Sequence, residues 1–406
     1  MTDLSPIKKL PLLRDYDADS WQKFNAASEA SRAIFSARGY KRIDTPIIEL
    51  TELFLRKSGG ELAAQLYSFT DPGGYEVSLR PEFTAPVIRH IIESGRIADL
   101  PLRLEYSGPV FRYPSPDAYD NGLSGSFTQT GAELIGIADP SADGEIIAMA
   151  LDGLKVLGID QPRLVIGHVG LIWDLLQPMT LSDRARLFLI NCVGTLAAGG
   201  AERVRQQAAE MGLLPLVADV DPGNRSAATA PGSLPASMKI EALLTHSLGN
   251  SFSGSVGSRN PDDILARLAL KIHSTDDPAA VNGALDLLAE LAKIKDRPEE
   301  AFKRTRETMA NAGQDSSPAG LIEDVIQAVI AEGIPESAIT VDLGLAREVA
   351  YYTGSVFDLE GPEGEKLGGG GRYDGLVRAL GSDTDTPALG FAYNTDAVLK
   401  VVEAAS

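Results

Sequence analysis

Two strand-like segments separated by a long loop place the strongest constraint on the fold of this 406-residue chain. Residues 103–113 read RLEYSGPVFRY, residues 126–136 read SFTQTGAELIG, and the connecting residues are rich in Pro, Asp and Gly. Turn-forming residues between two strand-like runs are typical of a β-hairpin. Any fold for this chain must therefore contain this antiparallel pair with its long tip.

Helical patterns surround the hairpin. Apolar residues over 19–38 recur at helical spacing, with Asp19 or Ser20 as the cap and Gly39 as the stop. Further helices are predicted within 165–177, 182–211, 262–309 and 317–332, and a linker at 222–237. We therefore divide the chain into a core, residues 1–163 and 336–406, and a mainly helical insertion, residues 164–335.

Composition limits the partners. The 44% hydrophobic and 23% charged residues are ordinary for a globular protein. A net charge of −19 disfavours bulk nucleic-acid binding, which depends on Lys and Arg displacing counterions. One cysteine, Cys192, and four histidines without ligand spacing predict no disulfide, metal site or cofactor. Because no secretory signal or long apolar stretch is recognisable, we expect a cytoplasmic protein with no membrane partner.

Five segments in fixed order resemble the histidyl-tRNA synthetase family of class II aminoacyl-tRNA synthetases. Residues 39–49 are similar to motif 1, and 108–113 with 128–136 to motif 2. Residues 386–399 are similar to motif 3, while 345–358 and 368–377 are similar to the two histidine-specific segments. The resemblance covers about two thirds of the chain. It implies an α+β fold in which an antiparallel sheet is flanked by helices, consistent with the hairpin.

The resemblance also implies a binding site for free histidine. Histidine has a cation, a carboxylate and a ring with one donor and one acceptor when neutral. The residues that match the family motifs are Glu82, Thr84 and Gln129 for the ammonium, Arg112 as a brace, Arg347 for the carboxylate, Glu133 and Tyr352 for the imidazole, and Tyr351 beside them.

Each of these residues also has a purely structural interpretation. Glu82 could cap the helix that follows it, and Arg112 could be an ordinary surface or salt-bridged residue. Tyr351 and Tyr352 could be sheet aromatics, and the glycines at 368–371 could form a flexible turn. The joint occurrence in order favours the functional interpretation.

The chain departs from the synthetases where they bind ATP. Ala397 occupies the position of the motif 3 arginine that holds the ATP phosphates, and Leu123 and Gly125 lie where motif 2 arginines are expected. Loss of cations that stabilise developing negative charge slows phosphoryl chemistry. Nine residues follow Ala397, whereas a separate domain needs at least roughly 50. We therefore expect no catalysis from this chain, no anticodon-binding domain and no tRNA partner.

This combination resembles the synthetase-like regulatory subunits of short-form ATP phosphoribosyltransferase. That resemblance implies a chain required for activity of the catalytic subunit and for feedback inhibition by histidine in the first step of histidine biosynthesis. It further implies self-association as a dimer and a hetero-octamer with the catalytic subunit. Two alternatives stay open: a diverged synthetase-like enzyme that activates an amino acid with ATP, and a sensing module attached to another pathway.

Overall fold

The computed structural model of the protein describes residues 7–10, 13, 15–56, 60–114, 124–215, 276–345, 347 and 351–405, with residues 60 and 61 described by their backbone alone. The predicted linker at 222–237, most of the hairpin tip and the predicted helical residues 262–275 lie outside this part of the chain.

The described helices alternate with short and long strands. The helices are α1 (Ala18–Ala37), α2 (Thr51–Leu55), α3 (Gly60–Ala64), α4 (Thr84–Glu93), α5 (Ser141–Val156), α6 (Val169–Leu176), α7 (Asp183–Asn191), α8 (Val193–Ala197), α9 (Ala201–Glu210), α10 (Pro278–Leu291), α11 (Pro298–Asn311), α12 (Ala319–Ala331), α13 (Gly375–Ala379) and α14 (Thr395–Ala405). The strands are β1 (Lys41–Arg42), β2 (Ile48–Leu50), β3 (Ser68–Thr70), β4 (Glu76–Leu79), β5 (Leu102–Phe111), β6 (Ser126–Ile135), β7 (Arg163–His168), β8 (Lys295–Asp296), β9 (Ile339–Asp342), β10 (Ser355–Glu360), β11 (Lys366–Arg372) and β12 (Ala388–Asn394).

Nine of the strands within the described residues form the main sheet, in the order β1-β5-β6-β12-β11-β10-β7-β9-β8. The pairs β1–β5 and β7–β9 are parallel, and the other neighbours are antiparallel. Strands β2, β4 and β3 form a separate antiparallel sheet. The predicted hairpin is confirmed as β5–β6, in which Leu102 pairs with Ile135 and Phe111 with Ser126.

The main sheet separates two apolar cores. On its back face, Leu134 of β6 and Phe357 of β10 belong to the larger core together with the buried side of α5. On its front face, Leu104 and Tyr106 of β5 pack with Phe83 and the apolar residues of α4. Since side chains alternate between the faces of a strand, Glu133, Gln129 and Asp358 lie on the front face.

A buried ion pair ties α5 to the sheet. Arg372 of β11 hydrogen-bonds Asp143 of α5 on the back face, and the Asp143 carboxylate also accepts a hydrogen bond from Ser355 of β10. Asp143 is 1% exposed, so its charge needs these partners to be tolerated inside the protein. The back of the sheet is thereby fixed behind β10 and β11.

The local structure differs from the sequence predictions at two places. Helix α1 starts after Asp17, whose side chain accepts a hydrogen bond from the Ser20 N–H and so takes the capping role predicted for Asp19 or Ser20. Residues 165–168 were predicted as helix but belong to strand β7, which pairs with β10 and β9 and buries the β-branched Val165 and Ile166. The glycines at 368–371 lie within strand β11, so the alternative interpretation as a flexible turn is wrong.

Strands β7 and β9 bear on the predicted division of the chain. Strand β7 spans the predicted boundary at residue 164, and both β7 and β9 extend the main sheet. Helices α6 to α12 occupy the described part of residues 164–335, with β8 as the short strand between α10 and α11. The division into a core and a mainly helical insertion remains a proposal.

Candidate functional site

A buried carboxyl group, that of Glu133 on β6, lies at the centre of the front face. Its Oε1 accepts hydrogen bonds from the Thr84 hydroxyl at 2.8 Å and the Tyr106 hydroxyl at 3.0 Å, and its Oε2 accepts one from the Tyr373 hydroxyl. Glu133 itself is fully buried. Three donors from α4, β5 and the end of β11 thus converge on one acidic side chain.

Burial dominates the electrostatics of this cluster. It raises the pKa of Glu133 from 4.5 to about 8, since removal from water penalises the charged form. The three hydroxyl donors act in the opposite direction, and the nearby Glu82 raises the pKa further. A buried acid whose pKa lies near neutrality is typical of functional sites, and it can hold or release a proton when a ligand binds.

Glu82 and Thr84 reach the cluster from the start of α4. The carboxylate of Glu82 accepts hydrogen bonds from the Ala85 N–H at 3.1 and 3.3 Å, so it does cap this helix. Burial raises the pKa of Glu82, and the neighbouring Arg112 lowers it. Arg112 donates from Nε to the Pro81 carbonyl at 3.0 Å and lies 5.4 Å from the Phe127 ring centroid. Arg112 therefore braces the loop that carries Glu82.

Aromatic side chains enclose the same acid. The Tyr351 ring lies 5.1 Å from that of Tyr352 and 5.6 Å from that of Tyr373. On the other side, the Tyr106 ring stacks on Phe83 with centroids 4.4 Å apart. Tyr351, Tyr106 and Tyr373 are almost fully buried, whereas Tyr352 is partly exposed. The rings exclude water from Glu133, and Tyr352 lies on the solvent-facing side of the cluster.

Glycines on the front face make room for this arrangement. Gly390 pairs with Glu133 across β12 and β6, and any Cβ at Gly390 would collide with Glu133 Oε2. On β11, a Cβ at Gly371 would lie 2.8 Å from the Tyr352 ring, and one at Gly369 would collide with Arg347 Nη1. The backbone alone therefore forms a floor between Glu133 and Arg347, which we call the glycine floor (Gly369, Gly371 and Gly390).

Gln129 lies on the same face of β6, four residues from Glu133. It is 8% exposed, and its Oε1 has no hydrogen-bond partner among the described residues. An unsatisfied buried acceptor costs about 1–3 kcal/mol, so its presence indicates a ligand or solvent partner.

Arg347 lies at the opposite end of the glycine floor. Its Nη1 donates to the Phe357 carbonyl at 2.9 Å and to Asp358 Oδ1. Burial raises the pKa of Tyr352, and the nearby Arg347 lowers it by a smaller amount. The guanidinium is therefore close to the exposed edge of the aromatic cluster.

The structure brings most of the predicted site residues together and adds two residues that were not predicted. Glu82, Thr84, Glu133 and Tyr351 belong to one cluster, Arg112 supports it, and Tyr352 and Arg347 border it. Gln129 lies on the same face of β6, four residues along the strand from Glu133. The hydroxyls that reach Glu133 are those of Tyr106 and Tyr373, which the sequence analysis did not single out. The sequence did contain a sign of both tyrosines, because residues two apart on a strand face the same side. Tyr373 is two positions after Gly371, and Tyr106 is two positions before Gly108, in segments already matched to the motifs.

The motif 3 segment ends in α14, whose Val398 belongs to the back-face core. Ala397 is in the first turn of α14, and its N–H donates to Asn394 Oδ1 at 3.1 Å. The preceding residue, Asp396, accepts hydrogen bonds from the Thr128 N–H at 2.7 Å and from the Tyr16 hydroxyl at 2.6 Å. A methyl group thus occupies the first turn of α14 where the resembling family has an arginine.

Comparison with known proteins identifies the lineage. A sequence model of the family described as histidyl-tRNA synthetase matches residues 12–249 and 265–398. The chain belongs to the histidyl-tRNA synthetase family. Its relatives include the histidine–tRNA ligase of Methanocaldococcus jannaschii, 31% identical over 392 residues, which cover 96% of this chain and 74% of the ligase. The ligase of Geobacillus kaustophilus is 30% identical over 399 residues, covering 96% of this chain and 71% of that protein.

These relatives correct one expectation from the sequence. The chain was expected to have no catalytic activity, on the basis of Ala397, of Leu123 and Gly125, and of the few residues that follow Ala397. That expectation is wrong as a statement about this histidyl-tRNA synthetase family member, because relatives similar over almost its whole length are ligases, which are enzymes. The loss of these cations is too narrow a basis for the claim, since polar residues matched to the family motifs remain assembled around Glu133.

Solved structures confirm the fold. A Bacillus halodurans protein, described as an ATP phosphoribosyltransferase regulatory subunit/histidyl-tRNA synthetase, superposes with a TM-score of 0.68 at 22% identity, covering 99% of this chain and 84% of that one. A histidine–tRNA ligase subunit from Alicyclobacillus acidocaldarius gives 0.59 at 22% identity, with 98% of both chains covered. Both support the predicted α+β class with an antiparallel sheet flanked by helices.

The described residues contain neither a candidate membrane-spanning helix nor a candidate metal-binding cluster. None of their helices is long and apolar enough to cross a membrane. Their His, Cys, Asp and Glu side chains form no group of three or more that could hold a metal ion.

Proposed function

We propose that this chain binds free histidine on the front face of the main sheet. In this arrangement the imidazole meets Glu133, the ammonium meets Glu82, Thr84 and Gln129, and the carboxylate meets Arg347. The proposal is supported by buried acceptors at one end of the glycine floor and a guanidinium at the other. A planar guanidinium suits a carboxylate because it can donate two parallel hydrogen bonds.

We further propose that bound histidine regulates a short-form ATP phosphoribosyltransferase catalytic subunit. One observation carries this step: the residues on the histidine side are assembled around Glu133, while Ala397 replaces the arginine of motif 3. A site that recognises histidine but lacks one cation for the ATP phosphates suits a sensor of histidine, the product of the biosynthetic pathway. Coupling between two such sites is typically about 1–3 kcal/mol, enough for roughly fivefold to 150-fold control.

A second candidate is the activation of histidine with ATP. The observation that favours it is the identity of 28–31% with histidine–tRNA ligases over nearly the whole chain. In this case a carboxylate oxygen of bound histidine would attack the α-phosphorus of ATP, the bond between the α- and β-phosphates would break, and pyrophosphate would leave as histidyl-adenylate forms. Arg112 would lie on the side of the site toward Phe127.

Formation of phosphoribosyl-ATP by a short-form catalytic subunit, with and without this chain and across a histidine titration, tests the regulatory proposal. Stimulation by the chain that histidine reverses is the expected result. Histidine-dependent exchange of pyrophosphate into ATP, measured on the chain alone, tests the second candidate. Exchange without any effect on the catalytic subunit would contradict the regulatory proposal.

Arg347→Ala is the informative variant in the same assay, because it removes the group proposed to bind the carboxylate. We expect half-maximal inhibition to need at least tenfold more histidine. Arg378→Ala is the matched control, since Arg378 is an exposed arginine that pairs with Asp385. Unchanged inhibition in Arg347→Ala would contradict the proposed site.

A further inference from the structure

Asp358 of β10 is a buried acid on the front face that the proposed ligand contacts leave out. It is 5% exposed and pairs with Gly369 across β10 and β11. Its Oδ1 accepts a hydrogen bond from Arg347 Nη1, and its Oδ2 lies 3.3 Å from Lys366 Nζ. One carboxylate thus contacts two cations, of which Lys366 is the exposed one.

This acid fixes where the Arg347 guanidinium lies. Nη1 is held by Asp358 and by the Phe357 carbonyl, and it occupies the space that a Cβ of Gly369 would fill. An arginine side chain has many rotamers and loses conformational entropy when it is ordered. Because Asp358 orders the side chain in the absence of a ligand, the ligand is spared that cost.

The glycine floor separates this guanidinium from Glu133. A Cβ on Gly390 would collide with Glu133 Oε2, and a Cβ on Gly369 would collide with Arg347 Nη1. Gly390 pairs with Gly371, two residues from Gly369, so Gly390 and Gly369 are diagonal neighbours on one face, a spacing of about 7–8 Å. A small amino acid lying across the floor has the length to contact both groups.

We propose that Asp358 is a positioning residue that holds Arg347 in place for the carboxylate of the bound amino acid. This inference rests on the proposed binding of histidine. It assigns Asp358 to recognition of the carboxylate alone, at a distance from the ring contacts of Glu133.

The test compares two ligands by titration calorimetry: histidine, and histamine, which has the ring and the amine but no carboxylate. In Asp358→Asn we expect histidine affinity to fall about tenfold, because the ligand then has to order the Arg347 side chain itself. We expect the affinity for histamine to change less than twofold. Asp358→Glu keeps the charge and should recover part of the histidine affinity. Glu360→Gln, the same change of charge on the same strand, is the control and should leave both ligands unaffected.

The outcomes separate the two proposals. If the unmodified chain does not bind histidine, the proposed function fails and this inference fails with it. If the unmodified chain binds histidine but Asp358→Asn weakens both ligands equally, Asp358 has only a structural role. If Asp358→Asn leaves histidine affinity unchanged or raises it, Asp358 competes with the ligand and the inference is wrong. Should Asp358→Asn not fold, the ratio of the two affinities in Asp358→Glu decides in the same way.

Discussion

Replacing Glu133 with glutamine removes the buried acid at the centre of the site and nearly preserves its volume. The folded protein holds a proton on Glu133 up to a pKa of about 8, whereas the unfolded chain releases it near 4.5. The contribution of Glu133 to the free energy of unfolding should therefore be fully present below pH 4.5 and should be lost as the pH rises through 8. A glutamine cannot titrate, so Glu133→Gln should lack this decline.

The size of the effect follows from the two pKa values. At about 1.4 kcal/mol per pH unit, the difference between 4.5 and about 8 corresponds to an upper limit of about 5 kcal/mol. Glutamine loses one acceptor, so the hydroxyl of Tyr373 or of its neighbours is left poorly paired at about 1–3 kcal/mol. We expect Glu133→Gln to be less stable than the natural chain at pH 5 and to gain about 2–4 kcal/mol relative to it by pH 9.

Urea unfolding of ligand-free protein at pH 5, 7 and 9 measures this difference through the transition midpoint. Glu52→Gln makes the same substitution at an exposed position on α2 and should leave the pH profile unchanged. A stability difference between Glu133→Gln and the natural chain that stays constant from pH 5 to pH 9 would refute the argument, because it would mean that Glu133 ionises alike in both states.

Two other substitutions test the front face. Gly390→Ala should destabilise the protein by at least about 2 kcal/mol in thermal unfolding and abolish histidine binding, because the new methyl group collides with the adjacent buried carboxylate. Gly283→Ala, where a Cβ meets open space on helix α10, should raise stability by about 0.5–1 kcal/mol, and equal effects of the two would contradict this account. Gln129→Leu should keep or raise stability by removing an unpaired buried acceptor, yet lower histidine affinity about tenfold in calorimetry; unchanged affinity would remove Gln129 from the site.

Several parts of the fold follow from local sequence. The β5–β6 hairpin and helix α1 were predicted within a few residues, because alternation and helical periodicity are properties of adjacent residues. Strand β7 was missed for a related reason: a short apolar run is compatible with a strand or a buried helix, and pairing with β9 and β10 decides between them.

Local patterns also limited the interpretation of the site. A flexible turn was one interpretation of the glycines at 368–371, yet they extend through β11, where neighbouring side chains need the space above them. Similarly, Ala397, Leu123 and Gly125 were visible in the sequence, and the inference that the chain is no enzyme went beyond what these substitutions support.

The sequence by itself determined the family, the order of the motifs and most residues of the proposed histidine site, since each motif is a continuous segment. Only the tertiary structure decided that Glu133 is buried under the hydroxyls of Thr84, Tyr106 and Tyr373, and that Asp358 holds Arg347. Tyr373 and Glu133 are separated by 240 residues along the chain. The pKa of an acid depends on its burial and on the donors around it, and folding supplies both by bringing distant segments together.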